Sequence, residues 1–249
     1  MGLRVERHDR AAVLVFDWPE RRNAIGPEEA LEITATLKDI VKDPAVCGVV
    51  ITGEGAFCAG GNLKGAVFKQ DTSTEERSAA VYGAVHGMMQ AIVNVPLPTV
   101  AAIDGPAIAL GFDMALACDS RFIGPKGWCL QGWGKLGFVP GAAGEMLLRF
   151  RSPGVLWRLL EEQPRINAEL AEKLNLGESS GESTARERAI ARVNALAPMS
   201  RETLEAYVDL NRADLRSKME HGLAAAAAKQ LALLTRPGLE DRVKAALNK

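Results

Sequence analysis

The spacing of apolar residues changes several times along the chain, and each change marks an element. Residues 3–7 and 12–16 are short strand-like runs joined by the polar turn His8-Asp9-Arg10. Behind Pro27-Glu28-Glu29, the residues Ala30, Ile33, Leu37, Ile40 and Val41 return at helical spacing, which predicts a helix with one buried face. Residues 46–52 and 99–103 are unbroken apolar runs of strand length, as expected for strands covered on both faces. A helix is predicted over 75–93, ended by Pro96-Leu97-Pro98, and a short strand at 121–123. Further helices are expected near 142–150, 154–162 and 168–174. Residues 18–26, the glycine-rich 53–65 and the glycine- and tryptophan-rich 124–141 read as loops.

The polar, Ser/Gly-rich break at 178–182 is the one candidate boundary. It divides a core over 1–182 from a helical region over 183–249, punctuated by Pro198 and Pro237. The alanine-rich face of that tail is expected to pack on the core or on a neighbouring subunit.

The stretch 101–119, AAIDGPAIALGFDMALACD, organises the rest. A strand breaks at Asp104-Gly105-Pro106 and the chain restarts as an apolar helix, leaving free N–H groups at the helix start. Such donors suit an anion or a developing oxyanion. One acid, Asp113, sits inside that apolar helix, where an unpaired charge is costly. GVVITGEGAFCAGGNLKG, from Gly48, repeats the same plan. Side by side in a parallel sheet, the two units bring two sets of free N–H groups near one point.

Composition narrows the field. Thirty basic against 31 acidic residues, net charge −1, leave no electrostatic footprint for nucleic acid or an anionic membrane. Four cysteines without CxxC pairing read as free thiols. With no signal-like N-terminus and no apolar helix of membrane length, a cytoplasmic location is expected. Gly53-x-Gly55 lacks the third glycine of a dinucleotide fingerprint, because position 58 is Cys58. No GxxxxGK[ST], HExxH, GxSxG or EF-hand pattern occurs, so phosphoryl transfer and metal hydrolysis have no support and no metal ligands are assigned.

Four segments occur in order: PERRNAI from Pro19, GAFCAGGNL from Gly55, the stretch from Gly105 to Asp119, and LGFVPGAAG from Leu136. Through them the chain resembles the crotonase superfamily, the enoyl-CoA hydratase/isomerase family. The resemblance implies an α/β fold, a spiral core of ββα turns with a helical C-terminal region, assembled as a trimer or a pair of trimers. It implies an acyl-CoA thioester substrate and no cofactor beyond the coenzyme A that the substrate carries. Backbone N–H groups of Gly61 and Leu110 would hold the thioester oxygen while an enolate-like anion forms. The implied substrate-binding set is Arg22, Ala24, Ala59, Gly60, Asn62, Leu63, Phe68, His86, Gly111, Trp133 and Gly141. Trp133, His86 and Phe68 would shape the acyl pocket, and the loop of Arg21 and Arg22 would reach the coenzyme A phosphates.

The acids depart from the family pattern. Hydratases of the family use two glutamates; the first position falls on Asp113 and the second on Trp133, whose indole N–H donates but does not shuttle a proton. A tryptophan and a nearby histidine also mark the 4-chlorobenzoyl-CoA dehalogenase branch, whose nucleophilic aspartate would fall on Gly141. One carboxylate then remains for hydration, double-bond migration or decarboxylation of a malonyl-type thioester. The rival reading is an idle member that binds acyl-CoA or a carrier-bound thioester. On the residues alone, Glu145 is explained by its place at a helix start, Cys58 by packing, and Arg21 and Arg22 by solvation.

Overall fold

The computed structural model describes residues 2–62, 74–238 and 245, with the side chains of 74–81 left aside. Strands β1 (Gly2–His8) and β2 (Ala11–Asp17) form an antiparallel hairpin. Strands β3 (Gly48–Gly53), β4 (Thr99–Ile103) and β6 (Ser120–Ile123) then add in parallel to β2. A two-residue edge strand, β8 (Glu178–Ser179), completes the order β1-β2-β3-β4-β6-β8. A second, two-stranded parallel sheet pairs β5 (Pro106–Ile108) with β7 (Trp128–Leu130).

The parallel strands are apolar throughout because both faces of the sheet are covered. Alternate residues of one strand enter different cores: Ala12, Leu14 and Phe16 of β2 join one cluster, Ala11, Val13 and Val15 the other. The first cluster lies under α1 (Pro27–Ile40), α2 (Thr74–Asn94) and α3 (Leu110–Ala117). The second is closed by α7 (Ala185–Asn194), whose Ala185, Ala189 and Val193 pack on Val50, Val100, Ala102 and Phe122. The helices α4 (Gly144–Arg151), α5 (Val155–Glu162) and α6 (Ala168–Lys173) also bury their apolar residues in the first cluster.

The last helix, α8 (Arg201–Leu234), has 34 residues and starts at Ser200, whose hydroxyl accepts from the Thr203 N–H. Its buried stripe is Leu204, Val208, Arg212, Leu215, Met219, Leu223, Ala226 and Gln230, a helical period with two polar members. No helix among the described residues is long and apolar enough to cross a membrane.

Two expectations are corrected here. The 124–141 loop contains β7, and the polar break at 178–182 contains β8. Both strands are too short to show a period and form by pairing with distant partners, β7 with β5 and β8 with β6.

Candidate active site

Two loops leave the C-terminal ends of the neighbouring parallel strands β3 and β4 and run together. The Cys58 N–H donates to the Pro106 carbonyl at 3.1 Å, and the Ile108 N–H returns to the Cys58 carbonyl at 2.9 Å. A Cβ on Gly111 would lie 2.4 Å from that same Cys58 oxygen, so only glycine allows this approach. The Cys58 thiol is fully enclosed, and burial pushes its pKa up to about 12, which suits a packing residue.

A third segment closes on the first loop. Asn23, completely buried, accepts from the Trp18 N–H at 2.8 Å and donates to the Ala56 carbonyl at 2.6 Å. It thereby pins Arg22, Ala24 and Ile25 beside residues 59–62, where the Ala59 N–H donates to the Arg22 carbonyl at 3.0 Å. The Ile25 N–H donates to the Gly60 carbonyl at 2.9 Å and the Asn62 N–H to the Ile25 carbonyl at 2.8 Å. The structure thus gathers Arg22, Ala24, Ala59, Gly60, Gly61 and Asn62 in one place. Asn23 stood in the PERRNAI segment without a role of its own, and a buried asparagine between two loops is the signal it offered.

Peptide planarity then fixes where two amides face. The Gly60 carbonyl points at Ile25, so the Gly61 N–H of the same trans peptide points the other way. The Ala109 carbonyl accepts from the Asp113 N–H at 2.9 Å inside α3, so the Leu110 N–H points out of the helix start. Gly60 and Ala109 are neighbours, since a Cβ on Gly60 would lie 3.7 Å from that of Ala109. Ala109 itself has φ 50° and ψ −110°, a conformation that costs a residue with a Cβ about 1–3 kcal/mol. At its other end α3 is closed by cations. Arg121 donates to the Cys118 carbonyl at 2.9 Å, and Arg151 donates to Leu116 and Cys118 at 3.0 and 2.8 Å.

One turn into α3, Asp113 is 2% exposed. Its Oδ2 accepts from the Trp133 Nε1–H at 3.0 Å, and among the described residues no other side chain hydrogen-bonds this carboxyl. Burial pushes its pKa up to about 8, against the partial help of the indole, which favours the charged form. Gly144 lies directly against it: a Cβ there would fall 1.9 Å from Oδ1. Trp133 is itself buried, and its carbonyl accepts from the Leu136 and Phe138 N–H groups at 3.1 and 3.0 Å, which hold it at the head of a single turn. Trp133→Phe removes a donor that stabilises the carboxylate, so the Asp113 pKa should move further up. Carboxyl carbon shifts of Asp113 followed against pH would read this, and an unmoved titration would mean that the indole plays no part in it.

The other expected residues fall as follows. His86, half-buried on α2, hydrogen-bonds through Nε2 to the Gly141 carbonyl at 2.9 Å, and burial holds its pKa below the ordinary value. Gly141 and Trp133 lie on the same chain stretch that leads to Gly144. Leu63 and Phe68 lie outside the described residues. Arg22 is exposed as expected, whereas Arg21 is not simply solvated. It pairs with the Glu29 carboxylate at 2.9 Å and lies 5.3 Å from the Trp18 ring centroid. Glu145 occupies the first turn of α4, and among the described residues no cluster of three or more His, Cys, Asp or Glu is placed to hold a metal ion.

A parallel sheet whose strand-to-helix loops carry paired outward amides, with a buried acid one turn into the helix, defines a crotonase-type fold. The fold is shared by an enoyl-CoA hydratase of Bacillus halodurans, with TM-score 0.90 and 20% identity over 98% of this chain and 100% of that one. A model of the enoyl-CoA hydratase/isomerase family matches residues 6–232, and the chain belongs to that family. Among its relatives, "Probable enoyl-CoA hydratase EchA14" of Mycobacterium tuberculosis is 35% identical over 148 residues, 59% of this chain and 56% of that protein. The crotonyl-CoA hydratase of Syntrophomonas wolfei is 32% identical over 176 residues, 69% of this chain and 66% of its own length. The chain therefore spans a little over half the length of the first of these relatives and about two thirds of the second.

Proposed function

We infer that the protein acts on an acyl-CoA thioester through an enolate, with Asp113 as its single proton carrier. The observation that carries this is the Asp113 carboxyl, enclosed one turn into α3 and paired with an indole, where burial pushes its pKa up to about 8. In this reading the thioester oxygen rests on the Gly61 and Leu110 N–H groups. Each such donor lowers the barrier by on the order of 3 kcal/mol as negative charge gathers on the oxygen. Asp113 gives its proton to the enolate carbon, and the Trp133 N–H steadies the carboxylate left behind until solvent restores the proton. The names of the hydratase relatives, and the family match, support the substrate class. In an assembly of three or six copies, Trp157, Tyr207 and Leu210 are the most exposed of the large apolar side chains among the described residues and offer surface for contact.

One observation favours a particular reaction. A neutral acid is suited to donating a proton and not to removing one, and among the described residues no second carboxylate is paired with it to activate water. Decarboxylation of a malonyl-type thioester fits this: the bond to the carboxylate breaks, carbon dioxide leaves, and the electron pair moves onto the thioester oxygen. The Asp113 proton then completes the new C–H bond. The test is a panel of crotonyl-, 3-enoyl- and methylmalonyl-CoA in deuterated water. Turnover with a solvent deuteron at the carbon next to the thioester supports the reading. Binding without turnover on the whole panel makes the protein an acyl-CoA binder, and absence of binding removes both.

A further inference from the structure

The long C-terminal helix reaches the stretch of chain on which the acid rests. Gln230, 6% exposed near the end of α8, donates from Nε2 to the Val139 carbonyl at 2.8 Å. Because a carbonyl only accepts, the amide orientation is settled: Oε1 faces away from Val139 and accepts the Tyr82 hydroxyl of α2. Both side chains press on the same turn, since a Cβ on Gly141 would fall 1.9 Å from Gln230 Oε1 and 2.8 Å from a Tyr82 ring carbon. One bond further, the Gly141 carbonyl accepts from His86 Nε2, so the neutral ring carries its proton on Nε2. From Gly141 the chain runs through Ala142 and Ala143, the latter with φ 59°, to Gly144 against the Asp113 carboxyl.

We propose that Gln230 is a positioning residue for the acid site. Through the Val139 carbonyl and the Tyr82 hydroxyl it ties α8 and α2 to the 139–144 turn, and so sets both the His86 tautomer and the seat of Asp113. The proposal rests on the enzymatic reading above for its kinetic consequence, and on geometry alone for its effect on His86. A bland alternative is that Gln230 only fills a gap between helices. A side chain of equal shape without polar atoms separates the two, because a filler tolerates it and a positioning amide does not.

The experiment uses the full-length protein with Gln230→Met and Tyr82→Phe. The chain has three histidines, His8, His86 and His221, so imidazole 15N–1H spectra are readily assigned by single substitutions. Wild type should show His86 as the Nε2–H tautomer alone, and Gln230→Met a mixture of both. With a thioester that wild type turns over, kcat in Gln230→Met should fall about tenfold, the scale of two lost hydrogen bonds, with KM changed less than about twofold. Tyr82→Phe keeps the Val139 bond and should lie between them; it carries the test if the methionine variant does not fold. A wild-type His86 spectrum in both variants overturns the proposal, whatever the rates. If wild type turns over no thioester, the spectra still decide for or against the tie, and only the enzymatic reading falls.

Discussion

Asp113→Asn is expected to cut thioester turnover by about 10²–10⁴-fold while leaving the protein folded and able to bind substrate. The two side chains have nearly the same shape, and the asparagine oxygen still accepts from Trp133 Nε1–H, so the seat of the residue is retained. What disappears is the transferable proton. The pH dependence has a definite sign. With its pKa raised to about 8, Asp113 is protonated at neutral pH and serves as the donor, so the wild-type rate should fall as pH rises through about 8. Stability moves the same way. The folded state holds the Asp113 proton more tightly than the unfolded chain, so its contribution is complete below the ordinary value of 3.8. It is lost progressively as pH rises towards about 8. The asparagine variant lacks that slope, and its urea midpoint should gain on wild type between pH 5 and pH 9. A variant as active as wild type, or a wild-type rate that climbs through pH 8, would remove Asp113 as the acid.

The elements legible from sequence were those with a period long enough to read. Strands β2, β3 and β4 announced themselves because both faces are buried, and α1 because its apolar residues follow one stripe. Strands β5, β7 and β8, of two or three residues, exist only through distant pairing and left no local trace. The site divides in the same way. Glycine-rich turns after two apolar runs pointed to the segments carrying the Gly61 and Leu110 amides, and an acid in an apolar helix pointed to Asp113. The partners were harder. That the indole donates to Asp113, that Asn23 laces the first loop, and that Gln230 reaches Val139 all depend on tertiary placement. One clue was available: Arg212 and Gln230 fall on the buried stripe of α8, where a polar residue needs a partner.

Arg212→Met should destabilise the fold by about 3–5 kcal/mol, the cost of breaking a buried ion pair from one side. Arg212 is 1% exposed, and its guanidinium donates to the carbonyls of Val93 at 2.9 Å, Val95 at 2.7 Å and Leu97 at 3.0 Å. It closes the C-terminal end of α2 and pairs through Nε with Asp119 Oδ1 at 2.8 Å, and through Nη2 with Oδ2. Methionine fills the volume but takes the guanidinium donor from the Val95 and Leu97 carbonyls, leaves Val93 with Arg216 Nε at 3.3 Å, and leaves the Asp119 carboxylate with the Thr99 N–H at 2.8 Å but without its paired cation. Burial works against ionisation of Asp119, yet the hydrogen bond and charge of Arg212 outweigh it, and the pKa lies below the usual 3.8. A lowered carboxylate pKa contributes stability that is present above the unfolded value and lost as pH falls through the folded one. The gap between wild type and variant should therefore be widest near pH 7 and shrink in strong acid, once Asp119 is protonated in both. Urea midpoints at pH 7 and pH 3 measure it; an equal gap at the two would assign the loss to packing and the lost carbonyl hydrogen bonds, and none of it to the charge pair. Arg212 and Gln230 stand 18 residues apart on α8, roughly 27 Å at 1.5 Å per residue. The first holds the helix to the body of the protein, and that anchorage is what allows the second to act on the turn beneath Asp113.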